Sequence, residues 1–314
     1  FDRFDNRFFP HKKWTYAVPK ELLENYDIAI FPWIHRHKLP SNLGQCKVIG
    51  IFHDPIFFLF PDIIDRKSLE QETDNIRTWL ATDATMIATS DTTKQTFELI
   101  FRKQIDKIVK IAEPELRMQD DNTERLIVSP YIVYPANTFK HKNHELLLRA
   151  YAKSNCTLPL VLLGDGTDFE TSLRGRKGQL RRLCNQLGLK FNSNIFCLGY
   201  ISEKNRDAII ADASCLIMAS RAEGGGSFPI YEAVLKGIPV ISSDLPVVKE
   251  HLNSINVEVS FFKDDCELSL KNILDQLEQL LPDLEVVAVK NLKTMTRRSW
   301  VEASNEILEI AEIY

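Results

Sequence analysis

Residues 220–244 read S-R-A-E-G-G-G-S-F-P-I-Y-E-A-V-L-K-G-I-P-V-I-S-S-D. Two acids, Glu223 and Glu232, flank three glycines, a serine and a proline, and the pattern then predicts a short helix closed by Gly237 and a buried strand. Bare glycine N–H groups beside a helix start favour an anion, whereas the carboxylates accept hydrogen bonds from hydroxyls. The segment therefore predicts a pocket for a sugar nucleotide. The alternative is that the two acids only complement a helix dipole, but three consecutive glycines favour close approach to a ligand.

The rest of the chain alternates between apolar runs and helix-like segments, on both sides of one polar stretch. That stretch, Glu113–Arg125, contains a proline and predicts a linker. Short apolar runs are typical of strands buried on both faces of a parallel sheet, so the pattern predicts an α/β, doubly wound fold. The predicted strands are Asp27–Trp33, Lys47–Phe52, Thr85–Thr89, Tyr131–Tyr134, Leu158–Leu163, Ile195–Leu198, Cys215–Met218 and Pro239–Ser242, and helices are predicted from Asn143 and over 173–187, 205–212, 229–236 and 299–313.

Length and composition limit the class of protein. A chain of 314 residues is long for one hydrophobic core, since single cores stop growing near about 250 to 300 residues, so two domains are expected, over 1–126 and 127–295, followed by a helical segment over 296–314. The net charge of −4 argues against a broad nucleic-acid surface, and no apolar run approaches the roughly 20 residues that span a bilayer. The six cysteines form no C-x-x-C pair and most lie in apolar surroundings, which predicts buried thiols in a reducing compartment.

Polar or glycine-containing loops follow several predicted strands, where ligands of such sheets bind. One crevice is predicted to collect these loops, which carry His53 and Asp54, Asn137–Asn143, Gly164–Gly166 and Glu223.

Each loop also has a plainer interpretation. Gly164-Asp165-Gly166 lacks the third glycine of a dinucleotide fingerprint, since Phe169 stands there, so it is either a tight turn or a phosphate-lining turn. Lys142 is a candidate to neutralise a diphosphate leaving group, but its loop is equally typical of a solvated basic turn with Asn143 capping the next helix. His53 fits a hydrogen-bonded residue at a strand end as well as a ligand-binding residue.

With these residues in view, the chain resembles the retaining GT-B glycosyltransferases of glycosyltransferase family 4, and within them the bacterial surface-polysaccharide type. The resemblance covers most of the second part and is carried by Y-P-A-N-T-F-K-H-K-N-H (134–144), L-L-G-D-G (162–166), C-L-G-Y-I-S (197–202) and the two-glutamate segment with G-I-P-V-I-S-S-D (237–244). It implies two Rossmann-like domains with parallel sheets that face each other across a cleft, and a C-terminal helix that crosses back to the first domain.

The resemblance also implies roles for individual residues. Lys142, Glu223 and His53 would be the catalytic residues: Lys142 neutralises the donor diphosphate, Glu223 contacts the donor sugar, and His53 reaches that sugar from the other domain. Glu232 would bind the ribose hydroxyls, with Tyr200 and Ile201 beside the base. The remaining donor-binding residues would be Asn137, Lys140, Gly164, Gly224, Gly225, Gly226, Ser227 and Phe228.

Three positions depart from the family pattern. Eight residues separate Glu223 from Glu232 where the family usually has seven, so Ser227 reads as inserted. Asn137 stands near the place of a common arginine, which leaves phosphate neutralisation either to Lys142 alone or to Lys142 together with Lys140 or His141. Only Gly44 and Gly50 precede residue 126, so the usual glycine-rich loop of the first domain is not visible and that domain reads as incomplete.

The resemblance implies transfer of a hexosyl unit, with mannose or a related sugar favoured, from a GDP- or UDP-linked donor to a glycan or lipid-linked hydroxyl. The reaction would retain configuration, need neither metal nor cofactor, and take place in the cytoplasm at the inner face of the membrane. A basic, aromatic segment with Arg3, Arg7, Lys12, Lys13 and Lys20 predicts a solvated irregular extension, with peripheral contact to anionic lipid or polymer as the alternative. The alternatives are a sugar-nucleotide epimerase, a phosphorylase of the same fold, or a sugar-nucleotide-binding domain without turnover.

Overall fold

A computed structural model describes residues 15–110, 127–128, 130–224 and 226–313 of the chain. Four features of the sequence analysis lie outside these residues: the basic segment up to residue 14, the whole linker 113–125, Gly225 and the last residue, Tyr314. Contacts divide the chain into two compact units, one within 1–112 and 298–314 and the other within 113–297.

The first unit is built on a parallel four-stranded sheet in the order β2-β4-β5-β6, with a separate parallel pair β1-β3. Its strands are β1 (Tyr16–Ala17), β2 (Ile28–Phe31), β3 (His37–Lys38), β4 (Lys47–Phe52), β5 (Thr85–Ala88) and β6 (Lys107–Ile108). Its helices are α1 (Lys20–Glu24), α2 (Ile56–Leu59), α3 (Arg66–Leu80), α4 (Asp91–Phe101) and, from the end of the chain, α12 (Trp300–Ile313).

The core of the first unit explains one of its two glycines. A Cβ atom at Gly50 would lie 2.3 Å from both Ile34 Cγ2 and Trp79 Cζ3. Trp79 is fully buried and its indole N–H donates to the carbonyl of His37 at 2.8 Å. Gly50 therefore leaves room for a large core side chain inside β4, and does not belong to a ligand loop.

Helix α12 packs against the sheet of the first unit although it lies at the other end of the sequence. Ile310 and Ala311 are buried in an apolar cluster with Ile49 and Ile87. The Lys47 ammonium donates to the carbonyl of Ala311 at 3.1 Å. The last helix is thus held by apolar burial on one face and by a hydrogen bond near its end.

The second unit contains a parallel six-stranded sheet in the order β12-β11-β10-β7-β8-β9. Its strands are β7 (Ile132–Pro135), β8 (Leu160–Leu163), β9 (Ile195–Cys197), β10 (Cys215–Met218), β11 (Val240–Ser243) and β12 (Ser260–Phe262). Its helices are α5 (His144–Lys153), α6 (Gly175–Gln186), α7 (Glu203–Ala211), α8 (Phe228–Leu235), α9 (Pro246–Ser254), α10 (Glu267–Asp275) and α11 (Leu277–Thr294).

In chain order this sheet runs 3-2-1-4-5-6, the order of a Rossmann fold. The predicted parallel, doubly wound sheets are confirmed, and prolines account for two differences at strand ends. β8 begins at Leu160 because Pro159 has no N–H for the ladder, and Pro32 follows the last residue of β2. Residues 246–294, for which the sequence analysis assigned no elements, form α9, β12, α10 and α11.

The six cysteines are free thiols. Cys46, Cys184 and Cys215 are buried and the other three are half-buried. Burial raises the pKa of Cys184 to about 12, so this thiol is protonated and unreactive at neutral pH.

Candidate functional site

Two loops meet at the point where the strand order of the second unit reverses. The loop after β7 contains the 3-10 helix Lys140–Lys142, and the loop after β10 contains Glu223. β7 and β10 are neighbours in the sheet, although two strands separate them in the sequence. Their connections leave this edge in opposite directions, which creates the crevice in which ligands of open parallel sheets bind.

Lys142 and Glu223 form an ion pair in this crevice. Lys142 Nζ lies 2.7 Å from Glu223 Oε1, and the two side chains are only 16% and 9% exposed. The phenol of buried Tyr134 donates to the main-chain carbonyl of Lys142 and fixes the loop from below. Burial raises the pKa of Tyr134, so the phenol keeps its proton for this bond. Two residues that the sequence analysis placed among the catalytic residues are thus in direct contact.

His141 links the same two loops without carrying charge. Its carbonyl accepts the N–H of Arg221 at 2.7 Å, and its ring is buried. Burial and the neighbouring Lys142 ammonium lower the pKa of His141 to about 4. The ring is therefore neutral at physiological pH, and the cationic charge of this part of the loop comes from the lysines.

Asp265, which lies between β12 and α10, holds both loops from the side. Asn143 Nδ2 donates to Asp265 Oδ1 at 3.0 Å, and Arg221 Nε lies 3.4 Å from Asp265 Oδ2. Asn143 does stand at the N-cap position directly before α5, but its side chain makes no capping bond and its backbone is left-handed, with φ of 53°. The expectation of a capping asparagine is wrong because this side chain binds Asp265.

Glu232, the second acid of the motif, is held by an arginine that the sequence analysis missed. Arg206 on α7 donates from Nη2 to Glu232 Oε1 on α8 at 2.9 Å, and the same nitrogen lies 3.2 Å from Asp207 Oδ1. The arginine fixes the direction of the Glu232 carboxylate and balances its charge. A single arginine in a polar helix gives no signal of this contact in the sequence.

The described residues of the glycine loop pack tightly at the start of α8. Gly226 has φ of 137°, and a Cβ atom there would lie 2.8 Å from the hydroxyl of Tyr231. The hydroxyl of Ser227 is buried and has no hydrogen-bond partner among the residues that the structure describes. Phe228, the first residue of α8, is exposed. Gly224 lies in the same loop, half-buried.

Asn137, Lys140 and Gly164 lie on the two neighbouring loops after β7 and β8. Asn137 Oδ1 accepts the N–H of Phe139 at 3.1 Å, so this side chain shapes its own turn. A Cβ atom at Gly164, where φ is 124°, would lie 2.7 Å from the carbonyl of Ala136. Gly164 therefore allows the two loops to touch, and Lys140 remains exposed beside them.

Tyr200 and Ile201 follow β9, the strand at the edge of the sheet. Tyr200 is exposed and Ile201 is half-buried against the core of the second unit. The exposed ring is free to stack on a planar group, as expected for a residue beside a nucleobase.

His53 belongs to the first unit and directly follows β4. Its ring lies against Trp33, with 4.4 Å between ring centroids, and its carbonyl accepts the hydroxyl of Thr89 at 3.0 Å. Burial lowers the pKa of His53, so the imidazole is neutral at pH 7. The sequence analysis did not single out Trp33 or the buried His35 beside it, because an aromatic residue after a strand is common.

The described residues include neither a metal-binding cluster nor a membrane-spanning helix. Within the described ranges, no group of three His, Cys, Asp or Glu side chains is arranged to hold a metal ion. No helix in the part of the chain that the structure describes is long and apolar enough to cross a membrane.

Comparison with known proteins agrees with this architecture. The sequence model of the family described as Glycosyl transferases group 1 matches residues 121–282. The serotype-specific mannosyltransferase WbdA of Escherichia coli is 30% identical over 137 residues, which are 41% of this chain but 16% of that protein. The match thus spans about one sixth of the length of the curated relative.

Solved structures show the same fold at low sequence identity. Anabaena Alr3699/HepE, solved in complex with UDP and glucose, has a TM-score of 0.66 and 16% identity, and the match covers 94% of this chain and 81% of that one. Sucrose-phosphate synthase of Thermosynechococcus elongatus has a TM-score of 0.63 and 15% identity over 92% of this chain and 73% of that one. The GT-B fold class, with two Rossmann-like domains and parallel sheets, is confirmed. Because the family model covers more than half of the sequence, the chain belongs to the family of glycosyl transferases group 1.

Proposed function

We propose that this chain is a retaining glycosyltransferase that moves a hexosyl unit, with mannose or a related sugar favoured, from a GDP- or UDP-linked donor to a glycan or lipid-linked hydroxyl. The name of the E. coli relative, a serotype-specific mannosyltransferase, supports the sugar and a role in surface polysaccharide synthesis. The nucleotide and sugar bound by the Anabaena protein support a nucleotide-sugar donor. The proposal places the reaction in the cytoplasm, at the inner face of the membrane.

The observation that carries the proposal is the Lys142–Glu223 ion pair at the switch point of the second unit. A sugar nucleotide presents a diphosphate and several hydroxyls, and the crevice offers an ammonium group and a carboxylate at 2.7 Å from each other. The ammonium suits the diphosphate, and the carboxylate suits the sugar hydroxyls. Low exposure of both groups strengthens their electrostatic effect on a bound ligand.

In the proposed reaction the bond between the anomeric carbon and the donor phosphate oxygen breaks, and its electron pair leaves with the phosphate. The acceptor oxygen bonds to the anomeric carbon on the same face, and its proton passes to the departing phosphate oxygen. Lys142 stabilises the negative charge that grows on the diphosphate. No protein nucleophile, metal ion or cofactor takes part in this scheme, because positioning and charge stabilisation carry the step.

The other site residues orient the donor in this proposal. Glu232, held by Arg206, accepts hydrogen bonds from the ribose diol, and Tyr200 with Ile201 lies beside the base. Asn137, Lys140 and Gly164 line the phosphate side, and residues 224–228 line the sugar side. His53 takes part as a neutral imidazole from the first unit. Its ring can donate a hydrogen bond to a sugar hydroxyl or accept one from it.

NMR of the purified chain with GDP-mannose or UDP-glucose, first alone and then with a bacterial lipid extract, tests the proposal. We expect slow or no donor hydrolysis without acceptor, and with acceptor a product of the donor's own anomeric configuration. We expect Lys142→Ala to lower turnover about tenfold or more, while Arg149→Ala, on an exposed part of α5, leaves it unchanged.

Three other results would each contradict the proposal. An inverted product would exclude retention, and a new sugar nucleotide formed without acceptor would indicate an epimerase. Tight nucleotide binding, with no donor consumed under any condition, would indicate a binding domain without turnover.

A further inference from the structure

Helix α6 and its flanking residues concentrate positive charge in a chain that is acidic elsewhere. Residues 171–190 contain six Lys or Arg and no Asp or Glu, and no acid occurs between Glu170 and Glu203. The whole chain has a formal charge of −4, so the remainder carries −10. Such a separation of charge is a physical basis for attraction to an anionic partner on this side of the second unit.

Three arginines of this segment lie on the solvent side of α6. The helix buries Leu180, Leu183 and Cys184 against the core. Arg181 and Arg182 lie off that face, and Arg174 directly precedes the helix. Arg174 and Arg182 are exposed and Arg181 is half-buried. No acidic partner of these three occurs in the part of the chain that the structure describes.

The neighbouring cations are engaged inside the protein and help to build the surface. The Arg176 guanidinium pairs with the carboxylate of Glu145 and also donates from Nε to the Thr138 carbonyl at 3.0 Å. Lys177 Nζ donates to Asp168 Oδ2 at 2.8 Å. The charges of Arg174, Arg181 and Arg182 are not paired with an acid among the described residues, so they are available to a partner outside the protein.

An exposed leucine stands beside these arginines. Leu173 is 71% exposed, and its carbonyl accepts Arg182 Nη1 at 3.1 Å. A Cβ atom at Gly178 would lie 2.4 Å from the carbonyl carbon of Leu173, so the loop packs directly on the helix. The loop also borders an open cleft of about 700 Å³. The apolar side chain is thus presented at a fixed place among cationic groups.

We propose that this surface, formed by Leu173, Arg174, Arg181 and Arg182 and called here the α6 surface, binds anionic phospholipid headgroups at a membrane. Guanidinium groups bind phosphates well, and an apolar side chain among them enters the boundary between headgroups and acyl chains. A nucleic acid would bind the cationic groups as well, but the exposed leucine would contribute little to that binding. The proposal concerns lipid binding alone and does not depend on the donor or on turnover.

Sedimentation of the full chain with vesicles tests this proposal. We expect binding to phosphatidylcholine vesicles that contain phosphatidylglycerol, weak binding to phosphatidylcholine alone, and loss of binding as NaCl rises. Each arginine near the surface strengthens binding by about fivefold, so Arg174→Gln with Arg181→Gln and Arg182→Gln is expected to weaken it by about a hundredfold. Leu173→Ser is expected to lower the binding that remains at high salt.

The control variant has the same change of charge at other places on the second unit: Lys236→Gln, Lys263→Gln and Lys293→Gln. It is expected to keep vesicle binding within about fivefold of the wild type. The α6 surface is excluded as the membrane contact if the wild type does not bind anionic vesicles. It is also excluded if the arginine and control variants lose vesicle binding equally. If the arginine variant loses binding to a single-stranded RNA but keeps vesicle binding, the partner is a nucleic acid. Donor turnover, measured on the same samples without lipid, is expected to be unchanged in both variants, so the two proposals fail independently.

Discussion

Lys142→Ala removes the cation of the buried pair and leaves the Glu223 carboxylate, 9% exposed, without its partner. The carboxylate has lost most of its water on folding, and the 2.7 Å contact with the ammonium offsets that loss in the wild type. We therefore expect the single substitution to destabilise the second unit even without a ligand. The same substitution is expected to lower turnover, for the separate reason given by the reaction scheme.

The size of the effect on stability follows from the burial of the pair. Breaking one partner of a buried ion pair costs about 3–5 kcal/mol, and the partial exposure of Lys142 and Glu223 points to the lower end, about 3 kcal/mol. For a unit of this length each kcal/mol lowers the melting temperature by roughly 2–4 °C, which gives a fall of about 6–12 °C.

A double-mutant cycle isolates the interaction from other effects of each substitution. Lys142→Ala, Glu223→Ala and the double variant are compared by urea unfolding, and we expect a coupling of about 2–3 kcal/mol. The Lys290–Glu258 pair of the same unit is the control, since its distance is 2.8 Å but its side chains are 54% and 66% exposed. Exposed pairs contribute about 0–1 kcal/mol. A Lys142–Glu223 coupling no larger than that of the control pair would refute the account of the crevice.

Three further substitutions test other parts of the site. Arg206→Ala removes the partner of the Glu232 carboxylate and is expected to raise the donor KM about tenfold with little change in kcat. In the same steady-state measurements, the control Arg149→Ala is expected to change neither KM nor kcat. His141 has a folded pKa of about 4 against about 6.5 when unfolded, so the unfolded state takes up its proton first as the pH falls. Urea unfolding measures this difference. Between about pH 7.5 and pH 5, the free energy of unfolding of the wild type is expected to fall by about 2 kcal/mol more than that of His141→Gln. Gly166→Ala places a Cβ 2.1 Å from the hydroxyl of Thr138, whereas Gly188 also has a positive φ but open space around it. Thermal unfolding is therefore expected to show that Gly166→Ala lowers the free energy of unfolding by about 1–3 kcal/mol more than Gly188→Ala does.

Each of these has an outcome that contradicts it. A fall in kcat without a rise in KM would show that Arg206 does not act through donor binding. Equal pH dependence of the wild type and His141→Gln would mean that His141 is not held neutral by the fold. If the two substitutions lower the free energy of unfolding equally, the positive φ alone explains the need for glycine at residue 166. The close approach of Thr138 would then not contribute.

Most strands of both sheets were predictable because they are short apolar runs between polar loops. Lys47–Phe52 and Cys215–Met218 were predicted with the bounds that the structure has. Strand β12 was missed because S-F-F (260–262) forms no apolar run, whereas the equally short β9 lies in the run I-F-C-L. The helix that follows β12 has no side-chain cap to mark its start.

The site was predictable where it follows from topology, and not where it depends on side-chain contacts. Lys142 and Glu223 both follow strands of one parallel sheet, so their position at one edge could be expected from the sequence. Their direct contact could not, and neither could the bond from Arg206 to Glu232 or the attachment of Asn143 to Asp265. These contacts join residues that lie 26 to 122 positions apart, and the packing of different helices and loops decides them.

Isothermal titration of GDP and of UDP into the wild-type chain and into Lys142→Ala examines the crevice itself, without any acceptor. If the ammonium of Lys142 binds the donor diphosphate, at least one of the two nucleotides binds the wild type, and Lys142→Ala weakens that binding about tenfold or more while Arg149→Ala does not change it. Equal affinity of the wild type and Lys142→Ala for the nucleotide, or no binding of either nucleotide to the wild type, would contradict the assignment of this crevice as the donor site.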